Sequence, residues 1–380
     1  MKFGENLKTV KIIFIIVNWN GREKIGRCLR SLATHLHSFN YKILVVDNGS
    51  TDGSSEFIKE QFPEVILLIN KQNLGYARAC NQAMEYLRER SVSCDYLVFL
   101  NNDVELRDNS LEKLFSWMEE NKEVAACLPA VLDSKGKPQS GAGGFDLSLA
   151  SAFCHFFFLA GLFPRTFRGL YFNQSFFYKK KEQIELDWLS GVALVVRSPA
   201  IDVAGPMPEY FFMYTEDLAY GRELRKAGKL IYFPLARVYH LQEREKGYFQ
   251  VTWLDSLFTW YKLLQGQKNI RPLFFYQPEA FPEIQTFLPA RLRLELLVLQ
   301  LIFASGFILR WIGYAFRAAL SPHDEPRLKK KEMMVYFRHI ARLILKSFKF
   351  KTRKNIDRRN NIEKNEQEIA EKSQTKLCQK

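Results

Sequence analysis

The sequence predicts an α/β fold, a mostly parallel sheet flanked by helices, followed by a helical extension of different character. Two observations predict it. Between residues 10 and 132, short apolar runs alternate with amphipathic helical stretches, which is the rhythm of βαβ units in a mainly parallel sheet. After about residue 250 that rhythm stops, and apolar and basic stretches replace it. The chain has 380 residues, 47% hydrophobic and 25% charged, which are globular values with room for one large domain and an appendage.

The elements follow in order. Residues 10–17 form a strand; Lys2, Lys8 and Lys11 precede it as in a leader peptide, but the apolar run is short and ends in Asn18-Trp19-Asn20 without a small-residue cleavage site. Residues 23–36 form a helix, with Ile25, Cys28, Leu29, Leu32 and Leu36 at helical spacing. Strands at 41–46, 65–69, 96–100 and 124–132 then alternate with helices at 54–61, 76–90 and 111–121. Residues 140–144, Ser-Gly-Ala-Gly-Gly, are a loop without the order of a dinucleotide fingerprint. Residues 151–178 are dense in aromatics mixed with Arg165 and Arg168, followed by Lys179 to Lys181. A strand at 187–197, a helix at 215–226 and a strand at 230–238 complete the α/β part.

Beyond it, residues 253–264 form an apolar helix. Residues 296–309 carry no charge but fall short of the roughly 20 residues of a spanning helix. Extending that run to 316 encloses Arg310, so an interfacial helix or a marginal hairpin is expected rather than a span. A basic amphipathic helix is expected at 331–348, and a polar tail beyond it that cannot bury enough surface to fold. The expected divisions are 1–248, 249–348 and 349–380.

Net charge is +14, concentrated in residues 321–360, which hold thirteen Lys/Arg against four Asp/Glu. Such a local excess points to an anionic surface, either nucleic acid or the anionic leaflet of a membrane. Nucleic acid is the weaker choice, because it leaves acids at several strand ends unexplained. The six cysteines form no CxxC and no metal-binding spacing, and are expected as free thiols in a reducing compartment.

The chemistry concentrates at strand ends. Residues 96–100 are apolar throughout, as in a strand covered on both faces, and Asn101-Asn102-Asp103 follow. Ligands of open α/β sheets bind just beyond such carboxyl ends. Mg²⁺ or Mn²⁺ takes oxygen ligands from one or two carboxylates plus substrate phosphates, a role that suits Asp103. Capping the helix near residue 110 is the alternative for Asp103. Asp47 ends the second strand, where it can accept a nucleobase imide N–H or ribose hydroxyls; an ordinary βα turn also accommodates the Gly49 and Gly53 around it. At the same edge, Trp19 can stack on a base or simply cover the sheet end. Asn73, Gly75 and Asn81 surround a helix N-terminus that can face phosphate, or form a plain turn. Glu216 and Asp217 open a helix behind an aromatic run, placed either as dipole complements or as a general base on an acceptor hydroxyl. His240 ends a strand, where it is a structural residue or a ligand of the same cation, with a preference for Mn²⁺ over Mg²⁺.

The ordered set is far more specific than its members. Residues 16–20 (Ile-Val-Asn-Trp-Asn), 45–54 (Val-Val-Asp-Asn-Gly-Ser-Thr-Asp-Gly-Ser), 73–81 (Asn-Leu-Gly-Tyr-Ala-Arg-Ala-Cys-Asn) and 99–104 (Phe-Leu-Asn-Asn-Asp-Val) come first. Residues 188–193 (Trp-Leu-Ser-Gly-Val-Ala), 210–218 (Tyr-Phe-Phe-Met-Tyr-Thr-Glu-Asp-Leu) and 238–240 (Val-Tyr-His) follow. Together, over residues 10–245, they closely resemble the family 2 inverting glycosyltransferases of GT-A fold, in particular the rhamnosyltransferase and galactofuranosyltransferase branch.

The resemblance implies that Asp47 holds the nucleoside with Asn18 and Trp19 beside the base, and that Asn73, Gly75, Asn81 and Asn102 join the nucleotide-sugar site. Asp103 matches the last acid of the D-x-D motif, with Asn101 in place of the first; His240 matches a metal ligand. Asp217 matches the catalytic base, with Glu216 as the fallback, and Trp188, Ser190 and Gly191 line the acceptor side. The implied activity is transfer from a nucleotide-diphosphate sugar, dTDP-rhamnose or a UDP-sugar, to a glycan or lipid-linked glycan in bacterial cell-surface polysaccharide synthesis. The expected place is the cytoplasmic side of the inner membrane, peripheral or monotopic, docked on an anionic surface through residues 151–178 and 250–348, with no nucleic-acid partner; an ordinary core or an oligomer interface is the alternative use of the aromatic segment. A sugar-phosphate nucleotidyltransferase is disfavoured, since it wants a Gly-rich basic loop where Asn18-Trp19-Asn20-Gly21-Arg22 stands. A non-catalytic membrane scaffold is disfavoured by the presence of Asp47, Asp103 and Asp217 together.

Overall fold

The computed structural model describes residues 11–36, 40–211, 213–241 and 290–320. The chain divides into two units, Met1–Leu292 and Arg293–Lys380. In the first, β1 (Ile12–Asn18), α1 (Arg22–His35), β2 (Tyr41–Asp47), α2 (Ser54–Gln61), β3 (Ile66–Ile69), α3 (Tyr76–Glu89) and β4 (Tyr96–Asn101) alternate as the hydrophobic rhythm predicts. β5 (Val104–Glu105), α4 (Ser110–Glu120) and β6 (Val124–Leu132) follow.

β3, β2, β1 and β4 run parallel side by side. β1 and β4 are apolar along nearly their whole length because both their faces are covered; Ile12 to Ile16 and Tyr96 to Leu100 are all buried. Their register brings Asn18 opposite Asp47, and Val17 opposite both Val46 and Asn101. The polar ends of three strands therefore form one edge.

The stretch 187–197, expected as one strand, is two. β9 (Trp188–Leu189) pairs with β7 (Gly143–Gly144) in a small separate sheet, and β10 (Ala193–Arg197) enters the main sheet antiparallel to β4. The break falls at Ser190-Gly191-Val192: Ser190 N–H still donates to Ala142 O of the small sheet, whereas Val192 O already accepts from Asn101 N–H of the large one. The sheet continues with β6 and β11 (Lys229–His240), parallel to each other. Register along β11 shifts between Phe233 and Arg237, where Pro234 supplies no N–H to the ladder. β5 pairs antiparallel with the end of β11, bringing His240 opposite Val104, and β8 (Ile184–Glu185) pairs with its beginning.

Between β7 and β8 lie α5 (Leu149–Phe156), α6 (Leu159–Leu162) and α7 (Gln174–Lys180). After β10 come α8 (Ser198–Ala204) and α9 (Glu216–Leu224).

The second unit contributes α10 (Ala290–Leu320), a single continuous helix rather than a hairpin. Leu296, Leu299, Phe303 and Phe307 are buried at a spacing of one helical face, while Leu294, Val298, Leu301, Ile308, Leu309 and Ile312 are exposed. Among the described residues no helix is long and apolar enough to cross a membrane. The helices expected at 253–264 and 331–348 and the tail expected beyond 349 lie outside the described residues.

Candidate active site

One polar edge is built from the ends of β1, β2 and β4. Asn18 is fully buried, and its Nδ2 donates to Asp47 Oδ2 at 3.1 Å. Its Oδ1 accepts from Asn102 Nδ2 at 2.7 Å. Asp47 is also fully buried and its other oxygen accepts from Ser50 N–H at 2.8 Å, so the turn after β2 folds back on its own carboxylate. Gly21 sits against this chain of amides; a Cβ there would meet Asn102 Nδ2 at 2.4 Å and Asn18 Oδ1 at 2.7 Å. Trp19, half-buried, lies between Asn18 and Asn20 at the same strand end.

The loop before α3 is held by Asn48, next to Asp47. Asn48 Nδ2 donates to Asn73 Oδ1 at 2.8 Å and its Oδ1 accepts from Leu74 N–H at 3.0 Å. Asn73 Oδ1 in turn accepts from Gly75 N–H. Asn73 and Gly75 are thus tied to that polar edge. Asn81, one turn further along α3, lies apart from that cluster: it exchanges hydrogen bonds with the backbone of Met207 and donates to Glu209.

Asp103 does not cap α4. Asn109 takes that position, and Asp108 before it accepts from Ser110 N–H at 2.8 Å. Asp103 instead faces His240, whose Nε2 is 3.1 Å from Asp103 Oδ1, with both side chains largely buried. The contact follows from the β5–β11 pairing, which also joins Leu241 N–H to Asp103 O at 2.9 Å. Burial pushes the Asp103 carboxyl up, but the hydrogen bond and charge of His240, with Lys24 behind them, outweigh it and hold Asp103 below the usual carboxylate range.

Gln139 orients the imidazole. Its Nε2 donates to His240 O at 2.8 Å, which turns its Oε1 toward His240 Nδ1 at 2.9 Å. Nδ1–H therefore donates to Gln139, and Nε2 faces Asp103. When a cation displaces the Nε2 proton, a ring so oriented presents a nitrogen lone pair beside a carboxylate oxygen, a donor pair suited to a divalent cation. Among the described residues no group of three or more His, Cys, Asp or Glu gathers for a metal. The pair therefore fits a cation shared with a diphosphate rather than a closed protein metal centre. No local signal in the sequence marked Gln139; it lies in the loop beyond β6.

The second half of the site is the start of α9. Tyr214 and Thr215 both have positive φ, 68° and 76°, which turns the chain sharply into the helix. Gly221 lets α9 lie directly on β9, since a Cβ there would stand 2.8 Å from Trp188 Cα. Tyr220 packs edge-on against Phe99 of β4, ring centroids 6.3 Å apart. Glu216 is buried and its Oε2 has no hydrogen-bond partner; Asp217 Oδ1 accepts from Leu218 N–H at 2.9 Å. Burial raises both carboxyls well above their ordinary range, and the Asp217 charge raises Glu216 further.

Tyr76, the first residue of α3, links the two halves. Its hydroxyl donates to Gly191 O at 3.1 Å. Burial raises its phenol, followed by Cys80 and the nearby Glu216 and Asp217. Gly191 directly precedes Val192, whose carbonyl accepts from Asn101 N–H at the tip of β4. The acidic pair and the Asn101–Asp103 strand end therefore share one edge of the sheet. Ser190 and Trp188 are buried beside them, and Trp188 Nε1 and Thr215 Oγ1 are orphaned polar atoms at the α9–β9 contact. Tyr76 was legible as part of the Asn-x-Gly-Tyr motif, but its bond to a residue 115 positions away was not.

The family model for glycosyl transferase family 2 matches residues 13–177. Over 212 residues the chain is 31% identical to N-acetylglucosaminyl-diphospho-decaprenol L-rhamnosyltransferase of Mycobacterium tuberculosis, covering 54% of this chain and 68% of that protein. The chain belongs to glycosyl transferase family 2. Its fold is similar to that of the mannosyltransferase PcManGT from Pyrobaculum calidifontis in complex with GDP-Man and Mn²⁺, at a TM-score of 0.50 and 14% identity, over 88% of this chain and 87% of that one. GalNAc-T7 with UDP, GalNAc and Mn²⁺ aligns at a TM-score of 0.47 and 16% identity over 69% of this chain, which spans about half, 49%, of that one. The glycosyltransferase thus carries its polar strand ends, the Asp103–His240 pair and the acidic start of α9 on a GT-A type sheet.

Proposed function

We propose that this transferase moves a sugar, with inversion, from a nucleotide-diphosphate donor to a hydroxyl of a lipid-linked glycan in bacterial cell-surface polysaccharide synthesis. The donor is dTDP-rhamnose or a UDP-sugar. The observation that carries the proposal is the pair of buried Glu216 and half-buried Asp217 beside Tyr76 and Gly191, at the same sheet edge as Asp47 and Asp103. The rhamnosyltransferase relative, whose name specifies a diphospho-decaprenol-linked N-acetylglucosamine, supports the choice of acceptor class.

In this mechanism Asp47 and Asn18 bind the nucleoside. Asp103 and the Nε2 of His240 would hold Mg²⁺ or Mn²⁺, which when bound neutralises charge on the diphosphate. Asp217, with Glu216 as the fallback, accepts the proton of the acceptor hydroxyl. The freed oxygen attacks the anomeric carbon from the face opposite the diphosphate; the bond from that carbon to the β-phosphate oxygen breaks, and the nucleoside diphosphate leaves with the bonding electrons. Raised carboxyl pKa values bring the base nearer to the operating pH, where proton transfer is most effective. Base catalysis of this kind is worth about 10²–10⁴-fold. The enzyme would act at the cytoplasmic face of the inner membrane, where lipid-linked acceptors are built.

A panel of nucleotide sugars incubated with the full chain and Mg²⁺ or Mn²⁺ tests the proposal. Release of dTDP or UDP from one member, with Asp217→Asn keeping donor affinity and losing transfer, is the expected result. No cleavage of any donor would favour a non-catalytic scaffold, and full turnover by Asp217→Asn would remove the base assignment.

A further inference from the structure

The insertion between β7 and β8 presents a face that the transfer chemistry does not use. The aromatics of this insertion fall into two sets. Phe156, Phe172 and Phe177 are buried, and Phe172 packs on Tyr232 of β11 with ring centroids 4.8 Å apart. Phe153, Phe158, Leu162 and Phe163 are exposed, at 44%, 44%, 69% and 55%. So many large apolar side chains in one short exposed segment mark an interaction surface rather than scattered surface residues.

A basic rim borders this face. Arg165, two residues after Phe163, lies over the Phe176 ring of α7 at 5.2 Å and pairs with Glu182 just beyond that helix. Asn173, which caps α7, donates to Gly161 O at 3.1 Å, holding α6 against the start of α7. Lys179, Lys180 and Lys181 at the far end of α7 are all exposed. The same unit also connects to the acceptor side, because His155 packs on Tyr171 at 5.2 Å and Tyr171 on Trp188 at 5.7 Å, each edge-on.

We propose that this apolar face and its basic rim dock the enzyme on an anionic lipid bilayer. Leu162 and Phe163 enter the headgroup region while Lys179 to Lys181 meet lipid phosphates. Apolar side chains flanked by lysines and arginines are the chemistry of an interfacial anchor, and the charge complementarity selects a membrane over a second copy of this basic chain. The inference rests on the proposed lipid-linked acceptor for its purpose: docking through this unit brings the Trp188 strand next to the surface from which such an acceptor is presented.

The test uses the full chain and co-sedimentation with vesicles of phosphatidylcholine, with or without phosphatidylglycerol. Wild type should partition onto the phosphatidylglycerol vesicles. L162S/F163S and, separately, K179E/K180E should each lower that partitioning about tenfold or more. All three chains should bind a nucleotide-sugar donor alike, which shows that the exposed substitutions leave the fold intact. If L162S/F163S fails to fold, K179E/K180E at the exposed helix end carries the test. Unchanged partitioning of the folded variants overturns the inference, as does equal binding of wild type to phosphatidylcholine alone. A dimer that both variants dissolve, without a change in vesicle binding, reassigns the face to a contact between copies. Failure of donor cleavage with vesicle binding retained would count against the proposed function and leave the docking surface standing.

Discussion

Nε2 of His240, the last residue of β11, lies 3.1 Å from Oδ1 of Asp103, just past the end of β4. The two come from strands far apart in sequence, and Gln139 fixes which imidazole nitrogen faces the carboxylate.

That relationship predicts a graded loss of cation binding. Asp103→Ala and His240→Ala should each abolish Mn²⁺-dependent binding of a nucleoside diphosphate. Gln139→Leu, which removes both bonds to His240, should weaken it by about 10–100-fold, the usual cost of losing an orienting partner. Calorimetry of the nucleoside diphosphate with and without Mn²⁺ reads this directly, with no turnover needed. A Gln139→Leu chain with wild-type Mn²⁺ dependence would remove the orienting role.

The close approach at Gly21 gives a second prediction. Gly21→Ala drives a Cβ into Asn102 Nδ2 and Asn18 Oδ1, so one or both amides must move and the link from Asp47 to Asn102 breaks. The fold should survive, because the atoms displaced are the far ends of two side chains rather than backbone. Donor affinity should fall by about tenfold, the equivalent of roughly 1.4 kcal/mol for one lost hydrogen bond of this kind. Equilibrium binding of the donor, set beside the thermal midpoint, separates the two effects.

The third prediction concerns pH. Burial raises the Glu216 and Asp217 carboxyls, so the folded protein holds their protons more tightly than the unfolded chain does. The pair therefore favours folding at pH values below the ordinary carboxylate range, and that contribution is lost as pH rises through the raised values toward neutrality. Glu216→Gln/Asp217→Asn should be no more stable than wild type near about pH 4 and more stable near about pH 8, by on the order of 1–2 kcal/mol. Thermal midpoints across that range test the sign. In the wild type, the acid limb of kcat/KM should sit well above ~4, and it belongs to the pair rather than to either residue. An acid limb at the ordinary carboxylate value would contradict the burial argument.

Much of the polar strand-end cluster is readable from residues alone, because it is local. Asn18, Asp47 and Asn101 each end an apolar run, and parallel strands in register necessarily bring such ends to one edge. The start of α9 was readable as a helix with two acids in its first turn. Two other features were not. The stretch 187–197 reads as one strand from its β-branched and aromatic residues, yet it splits at Ser190-Gly191 because its halves hydrogen-bond to different sheets. Asn81 looked like part of a phosphate-facing helix start, and its amide is committed to Met207 and Glu209, partners well over a hundred residues away.

The sequence by itself determined the alternation of strand and helix, the polar residues that close each strand, and the family signature they spell. Those depend on short-range periodicity and on burial of both faces of the central strands. Only the tertiary structure decided that β5 pairs with the end of β11, that Asp103 therefore meets His240, and that Gln139 turns the ring toward it. These contacts depend on strand register across the sheet, which no local pattern of residues encodes.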